Sequence, residues 1–290
     1  MRRPRVNEAP DMHLTVIGCS AACPRPGGAC SSYLVTYGAL NVLLDCGPGS
    51  LSVLRGQINP RNLDAIIISH LHADHTLDLV PLAYGLKYGP LEGNERKGRG
   101  ERLALFVPPG GKAFLRGLAE ALEGAGRNDD FWAPFAVAEY SIDSTLAVGS
   151  ESRADGTADI LNFRFAPTKH YIPCQAIKAA PPGDDPHPVL VYGADSAPVE
   201  SLTAFAHGAD LLLLEATLAT AETPVPVGHM TPQQAGDVAR AAGGVGRLVL
   251  THYWGDMSPE AMRVQAREVF DGPISVAHER ATFVVGEVPV

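Results

Sequence analysis

The chain has 290 residues, 46% of them hydrophobic and 19% charged, a globular composition able to fill a sizeable core. Its formal net charge of −9 argues against a broad basic footprint for nucleic acid, although that count omits any bound divalent cation. No run reaches the roughly eighteen apolar residues of a membrane span, and five cysteines (Cys19, Cys23, Cys30, Cys46 and Cys174) are odd in number and too few for a disulfide framework, so the expected setting is cytoplasmic.

Residues 1–11 carry Arg2, Arg3 and Arg5 with no apolar run behind them, and are read as a loose leader rather than an export signal. Residues 12–290 are read as one domain. Strands are predicted over 12–18, 32–36 and 41–45. The β-branched run at 64–69 ends in a polar cluster, as a buried strand does. A helix follows over 76–88, then a strand at 103–107 stopped by Pro108-Pro109, and a helix over 112–123. In the second half strands are expected at 160–166, 175–179, 189–192, 211–214, 247–251 and 283–285. Helices are expected over 231–242 and 258–270, each opened by a Thr or Ser cap followed by Pro. Segments 89–102, 125–134 and 180–188 read as surface loops. Phe131 and Trp132 in the second of these could serve as lid, dimer contact or core.

One regularity points to function. Apolar strands repeatedly end in a residue that binds metal or carries a proton: 66–68 leads to His70, 189–192 to Asp195, 211–214 to Glu215 and 248–250 to His252. Strand ends on a rigid sheet hold side chains in fixed positions. The densest signal is His70-Leu71-His72-Ala73-Asp74-His75, four potential ligands in six residues. Imidazole nitrogen and carboxylate oxygen both suit zinc. Alternation puts His70 and His72 on one side of an extended segment, with Asp74 and His75 turning into the next helix. Cys19, Cys23 and Cys30 lack Cys-x-x-Cys spacing, and a separate zinc site is not expected there.

The segment 70–75 resembles the His-x-His-x-Asp-His motif of the metallo-β-lactamase superfamily, and His170, Asp195 and His252 match the later ligands in order. Singly, His170 or His252 reads as an ordinary histidine; the ordered set is specific. The resemblance runs from Met12 to the last strands. It implies an αβ/βα four-layer sandwich in the α/β class, with two divalent metal ions, zinc ahead of manganese or iron, at one sheet edge. It assigns His70, His72 and His170 to one metal and Asp74, His75 and His252 to the other, with Asp195 shared. A carboxylate at 195, where β-lactamases of this superfamily commonly use Cys, argues against β-lactamase activity, and Cys174 does not fit that role.

Two further segments narrow the branch. Leu214-Glu215-Ala216-Thr217 resembles the His-Glu-Ala-Thr segment of ribonuclease Z, and Gly228-His229-Met230-Thr231 its Gly-His-Ser-Thr segment. In that branch the His protonates the leaving oxygen and the Glu orients it, which implies that His229 and Glu215 are catalytic, with Asp74 helping to orient the nucleophile. Leu214 stands where the family has His, so a contact around the ligands is expected to be absent, and Met230 replaces Ser. Only 24 residues separate His170 from Asp195, too few for the arm with which ribonuclease Z grips transfer RNA. Residues 14–20 and 248–254 are similar to actinobacterial relatives, some of them atypical cyclic-nucleotide phosphodiesterases. The expected activity is therefore hydrolysis of a small phosphodiester or cyclic nucleotide by water activated between two metals. An acyl-type hydrolase (lactonase, thioesterase or biosynthetic hydrolase), a ribonuclease Z-like RNA endonuclease and a non-catalytic metal-binding protein are the alternatives. The expected partner is a small-molecule substrate, with nucleic acid less favoured, no membrane, and a homodimer compatible with the resemblance.

Overall fold

The computed structural model describes residues 10–89, 102–126, 128–150, 158–184, 186–220 and 228–287. The leader expected at 1–11 and the loop expected at 89–102 fall almost entirely outside them. The first half runs β1 (Met12–Gly18), β2 (Ser32–Tyr37), β3 (Leu40–Leu44), α1 (Ser50–Arg55), β4 (Ala65–Ile67), α2 (Ala73–Thr76), α3 (Leu79–Tyr88), β5 (Leu103–Val107), α4 (Gly111–Glu123), α5 (Asn128–Phe131) and β6 (Phe135–Glu139). The second half runs β7 (Leu146–Gly149), β8 (Ile160–Pro167), β9 (Gln175–Ala180), β10 (Leu190–Tyr192), α6 (Glu200–Phe205), β11 (Leu211–Glu215), α7 (Pro232–Ala242), β12 (Leu248–Thr251), α8 (Pro259–Arg267), β13 (Ile274–Val276) and β14 (Thr282–Val284).

The strands form two mixed seven-stranded sheets, ordered β14-β1-β2-β3-β4-β5-β6 and β13-β12-β11-β10-β9-β8-β7. The last strand returns to the first sheet, pairing antiparallel with β1. Alternation along the strands decides how the layers stack. In the first sheet Val16, Val42, Leu44 and Ile67 join the core shared with the second sheet, whereas Ile17, Leu43, Ile66 and Ile68 face a separate apolar cluster built with α1, α3 and α4. Leu202, Val238 and Met262 of α6, α7 and α8 pack on the second sheet. The result is the expected αβ/βα sandwich. Strands β3 to β6 run parallel, as do β10 to β13, so each block has a common C-terminal edge, where ligands gather in such sheets.

Several details depart from the sequence reading. The helix expected over 76–88 starts only at Leu79, as α3, with the short α2 set apart before it where the Asp78 backbone N–H bonds the Cys46 carbonyl at 3.0 Å. The same residue's carboxylate accepts from Leu51 N at 2.7 Å, tying the break to α1. The segment 125–134 is not simply a surface loop: it holds α5, and Phe131 and Trp132 are buried, with Trp132 Nε1 donating to the Leu115 carbonyl at 2.8 Å. Of the three roles open to that pair, the structure shows core. Thr231 caps α7 as expected, with Gln234 completing a reciprocal capping box. All five cysteines are free, and only Cys23 is exposed.

Gly47, just past β3, shows how closely the first sheet holds the histidine-rich turn. A Cβ there would collide with the Asp74 carbonyl oxygen and lie 2.8 Å from Cys30 Cβ. Gly47→Ala is expected to lower the free energy of unfolding by about 1–3 kcal/mol, as overpacking typically does. The urea midpoint, compared with wild type at unchanged m-value, checks this.

Candidate metal centre

The residues singled out at strand ends meet at one place. His70 follows β4, Asp74 and His75 lie in α2, His170 follows β8, Asp195 follows β10, and His252 follows β12. Their ligand-capable atoms fall into overlapping groups, each with all atoms within 4.8 Å of one another: His70, His72, His170 and Asp195, then Asp74, His75, Asp195 and His252. Asp195 sits between the groups. Its Oδ2 is 3.7 Å from His70 Nε2, 3.8 Å from His170 Nε2 and 3.5 Å from His252 Nε2, and its Oδ1 is 3.4 Å from His75 Nε2. Burial opposes ionisation of Asp195, but the imidazoles of His252, His75 and His70 outweigh it and hold the carboxyl well below its ordinary range. Burial pushes the His70 imidazole well down, so it is a neutral donor of a lone pair.

Hydrogen bonds fix the ring tautomers. The Gly228 carbonyl can only accept, so His170 Nδ1 donates to it at 2.8 Å. His75 Nδ1 donates to Asp45 Oδ2 at 2.8 Å. The Ser69 hydroxyl donates to the same Asp45 oxygen at 2.7 Å, and so accepts from His70 Nδ1 at 3.0 Å. The Nε2 lone pairs of His70 and His170 are thereby aimed at His72 Nδ1, at 3.2 and 2.9 Å. Three ring nitrogens converge with at most one proton among them. His75 Nε2 and Asp195 Oδ1 are buried with no hydrogen-bond partner. Unsatisfied buried nitrogen and carboxylate atoms are costly. A divalent cation would satisfy them, and the all-N/O donor set suits one.

Asp45 escaped the sequence reading. It is fully buried, accepts from His75, from Ser69 N and Oγ, and from the Tyr192 hydroxyl at 2.8 Å, and so orients one histidine of each group. The signal was available in the parallel with the other strands: β3 also ends in a carboxylate.

Beside these groups, Glu215 is buried and accepts from Ser196 N at 2.7 Å, Met230 N at 3.2 Å and His229 Nδ1 at 2.9 Å. Burial opposes protonation of His229, yet the bond to Glu215 outweighs it and raises its pKa. Thr217 Oγ1 donates to Glu215 Oε2 at 2.5 Å and accepts from His252 Nδ1 at 2.8 Å, leaving His252 Nε2 toward Asp74 Oδ2 at 3.1 Å. Leu214, where an outer contact was expected to be absent, is buried, and its Cδ2 would lie 2.5 Å from a Cβ at Gly193, so its side chain belongs to the apolar packing.

Residues 40–253 match the family model of the beta-lactamase superfamily domain. The chain is 30% identical over 271 residues to the probable metallo-hydrolase YhfI of Bacillus subtilis, spanning 92% of this chain and 97% of that protein. The YhfI crystal structure matches with a TM-score of 0.76, covering 94% of this chain and 99% of that one at 28% identity. The ribonuclease Z of Myxococcus xanthus is 28% identical over 306 residues, spanning 93% of this chain and 97% of that protein. A diphosphatase of the PhnP family shares the fold, with a TM-score of 0.67 at 20% identity over 94% of this chain and 97% of that one.

The candidate ligands come from both sheets, so a cation held there ties the halves of the sandwich together. Free zinc at about 100 times its dissociation constant is expected to raise the free energy of unfolding by about 2.7 kcal/mol over chelator-treated protein, read from denaturant curves. Asp45→Asn removes the charge that orients His75 and His70. It is expected to weaken zinc retention about 10- to 100-fold in competition with a chromogenic chelator.

Proposed function

Because the chain belongs to the beta-lactamase superfamily, in its ribonuclease Z-like branch, and is a metallo-hydrolase, we propose that it cleaves a small phosphodiester, with a cyclic nucleotide as the favoured substrate class. In this reading two zinc ions bind, one at His70, His72 and His170, the other at Asp74, His75 and His252, with Asp195 shared. The ions would supply Lewis acidity to the phosphoryl oxygens and lower the pKa of a water.

The chain's own side chains do the rest. Asp74 spends Oδ2 on His252, and its Oδ1 has no protein partner among the described residues, so it can accept a hydrogen bond from the attacking water. His229 is held at Nδ1 by Glu215, which leaves Nε2 to carry a proton to the leaving oxygen. The Glu215 carboxylate stabilises the imidazolium before it gives up that proton. This pair carries the phosphodiester reading: expelling an alkoxide from phosphorus is slow without a positioned acid. The relatives named ribonuclease Z support chemistry at phosphorus and make RNA cleavage the second reading. Against RNA stand the net charge of −9 and the short interval between His170 and Asp195, which must also hold β9 and β10.

The test is turnover by zinc-loaded protein of bis(p-nitrophenyl) phosphate and 3′,5′-cyclic AMP beside a lactone and a thioester. Diester turnover supports the proposal, and turnover of acyl substrates alone overturns it. His229→Ala is expected to lower kcat for the cyclic nucleotide about 10²- to 10⁴-fold at unchanged metal content. The loss should be far smaller for bis(p-nitrophenyl) phosphate, whose leaving group departs without a proton. Equal losses on both substrates would remove His229 from the role of acid.

A further inference from the structure

Two chain segments, one from Thr217 beside the metal-suited clusters and one from His252 within them, run to the wall of the same groove. One runs from Thr217 to Ala219, the other from His252 to Trp254. Each step is two residues, at most about 7 Å of chain. Their far ends, Ala219 and Trp254, line an open cavity of about 690 Å³ with Pro24, Arg25, Asp256 and Met257.

The walls are rigid. Tyr253 is buried, its hydroxyl donates to the Ala277 carbonyl at 2.8 Å, and its backbone exchanges bonds with Cys19 and Ala21 at 3.2 Å each. The Arg25 guanidinium lies 4.9 Å from the Tyr253 ring centre and donates to Glu279 Oε2 at 2.7 Å, so its charge is neutralised within the wall. Against this fixed backing Trp254 is left 40% exposed, whereas the chain's other tryptophan, Trp132, is 7% exposed and hydrogen-bonded in the core. The Asp256 carboxylate is exposed, with no partner among the described residues.

A half-exposed indole, apolar proline and methionine side chains, one free carboxylate and a neutralised arginine do not suit a run of phosphates. Asp256 repels them, and Arg25 is already paired. The same set suits a flat heteroaromatic ring that stacks on the indole and offers N–H groups to the carboxylate. Building on the phosphodiester reading, we infer that this groove holds the nucleobase of a mononucleotide substrate while its phosphodiester lies at the clusters of residues 70–75, 170, 195 and 252. Trp254 is the stacking platform, and Asp256 receives the base's N–H groups.

With two tryptophans in the chain and one of them in the core, intrinsic fluorescence reports the groove directly. Titration of the full-length protein with AMP or GMP should quench emission saturably, and ribose 5-phosphate should not. Trp254→Leu should abolish the quenching. In the same variant the KM for 3′,5′-cyclic AMP, relative to that for a base-free diester such as methyl p-nitrophenyl phosphate, should rise about 5- to 150-fold, the range that base–aromatic stacking spans. Absence of quenching by either nucleotide, or quenching that survives in Trp254→Leu, overturns the inference. Saturable, Trp254-dependent quenching without turnover of any phosphodiester upholds the groove and removes the phosphodiesterase reading. Diester turnover with an unchanged KM ratio in Trp254→Leu does the reverse.

Discussion

A single buried carboxylate organises the centre. Asp45 receives donors from four groups, two on Ser69 after β4, one on His75 in α2 and one on Tyr192 of β10, and two of those donors set which ring nitrogen of His75 and His70 carries its proton. A carboxylate buried at this depth is tolerable only when its lone pairs are filled. The Tyr192 hydroxyl crosses from the second sheet to reach it, so the same atom that arranges the histidines also registers the two sheets at their shared edge. Ring orientation, tautomer and sheet packing are therefore one problem with one solution.

The backbone carries a matching cost. Asp45, Ala194 and His252 adopt positive φ of 59°, 50° and 48°, a region that residues other than glycine seldom enter. Each lies at or beside a strand end that feeds the centre. Such conformations cost on the order of 1–3 kcal/mol each and persist where the surroundings over-determine them. Here the surroundings are strands buried on both faces, whose pairing leaves little freedom to relax.

The sequence carried much of this. Strand ends followed by His or Asp were legible because buried strands are short apolar runs and their ends are abrupt; His70, Asp195 and His252 follow from that pattern. The helix of 231–242 was legible through Thr231 and Pro232. What escaped had weak local signals. Strands β6, β7 and β13 are short, lie at sheet edges and are only partly buried, so their brief apolar stretches lack the long buried run and abrupt polar end that mark the central strands. Helix α1, six residues long, begins after Gly49 with no capping side chain. Asp45 was read as a strand terminus because its partners lie 24, 30 and 147 residues away, a convergence that no local pattern encodes. The groove at Trp254 likewise joins residues 24–26, 219 and 254–257, which only the fold brings together.

The Thr217 hydroxyl has one proton to give. It gives that proton to Glu215 and takes one from His252, while the other oxygen of Glu215 holds His229. Glu215 thus stands at the junction of two chains of hydrogen bonds, one leading to a candidate ligand and one to the candidate acid. Charge drawn toward His229 is charge withdrawn from Thr217 and His252. The two histidines are energetically coupled through a residue that neither the substrate nor a metal need touch. Substitutions at positions 229 and 252 will not add independently, and the interaction energy of their double-mutant cycle measures how much of the centre behaves as a single electronic unit.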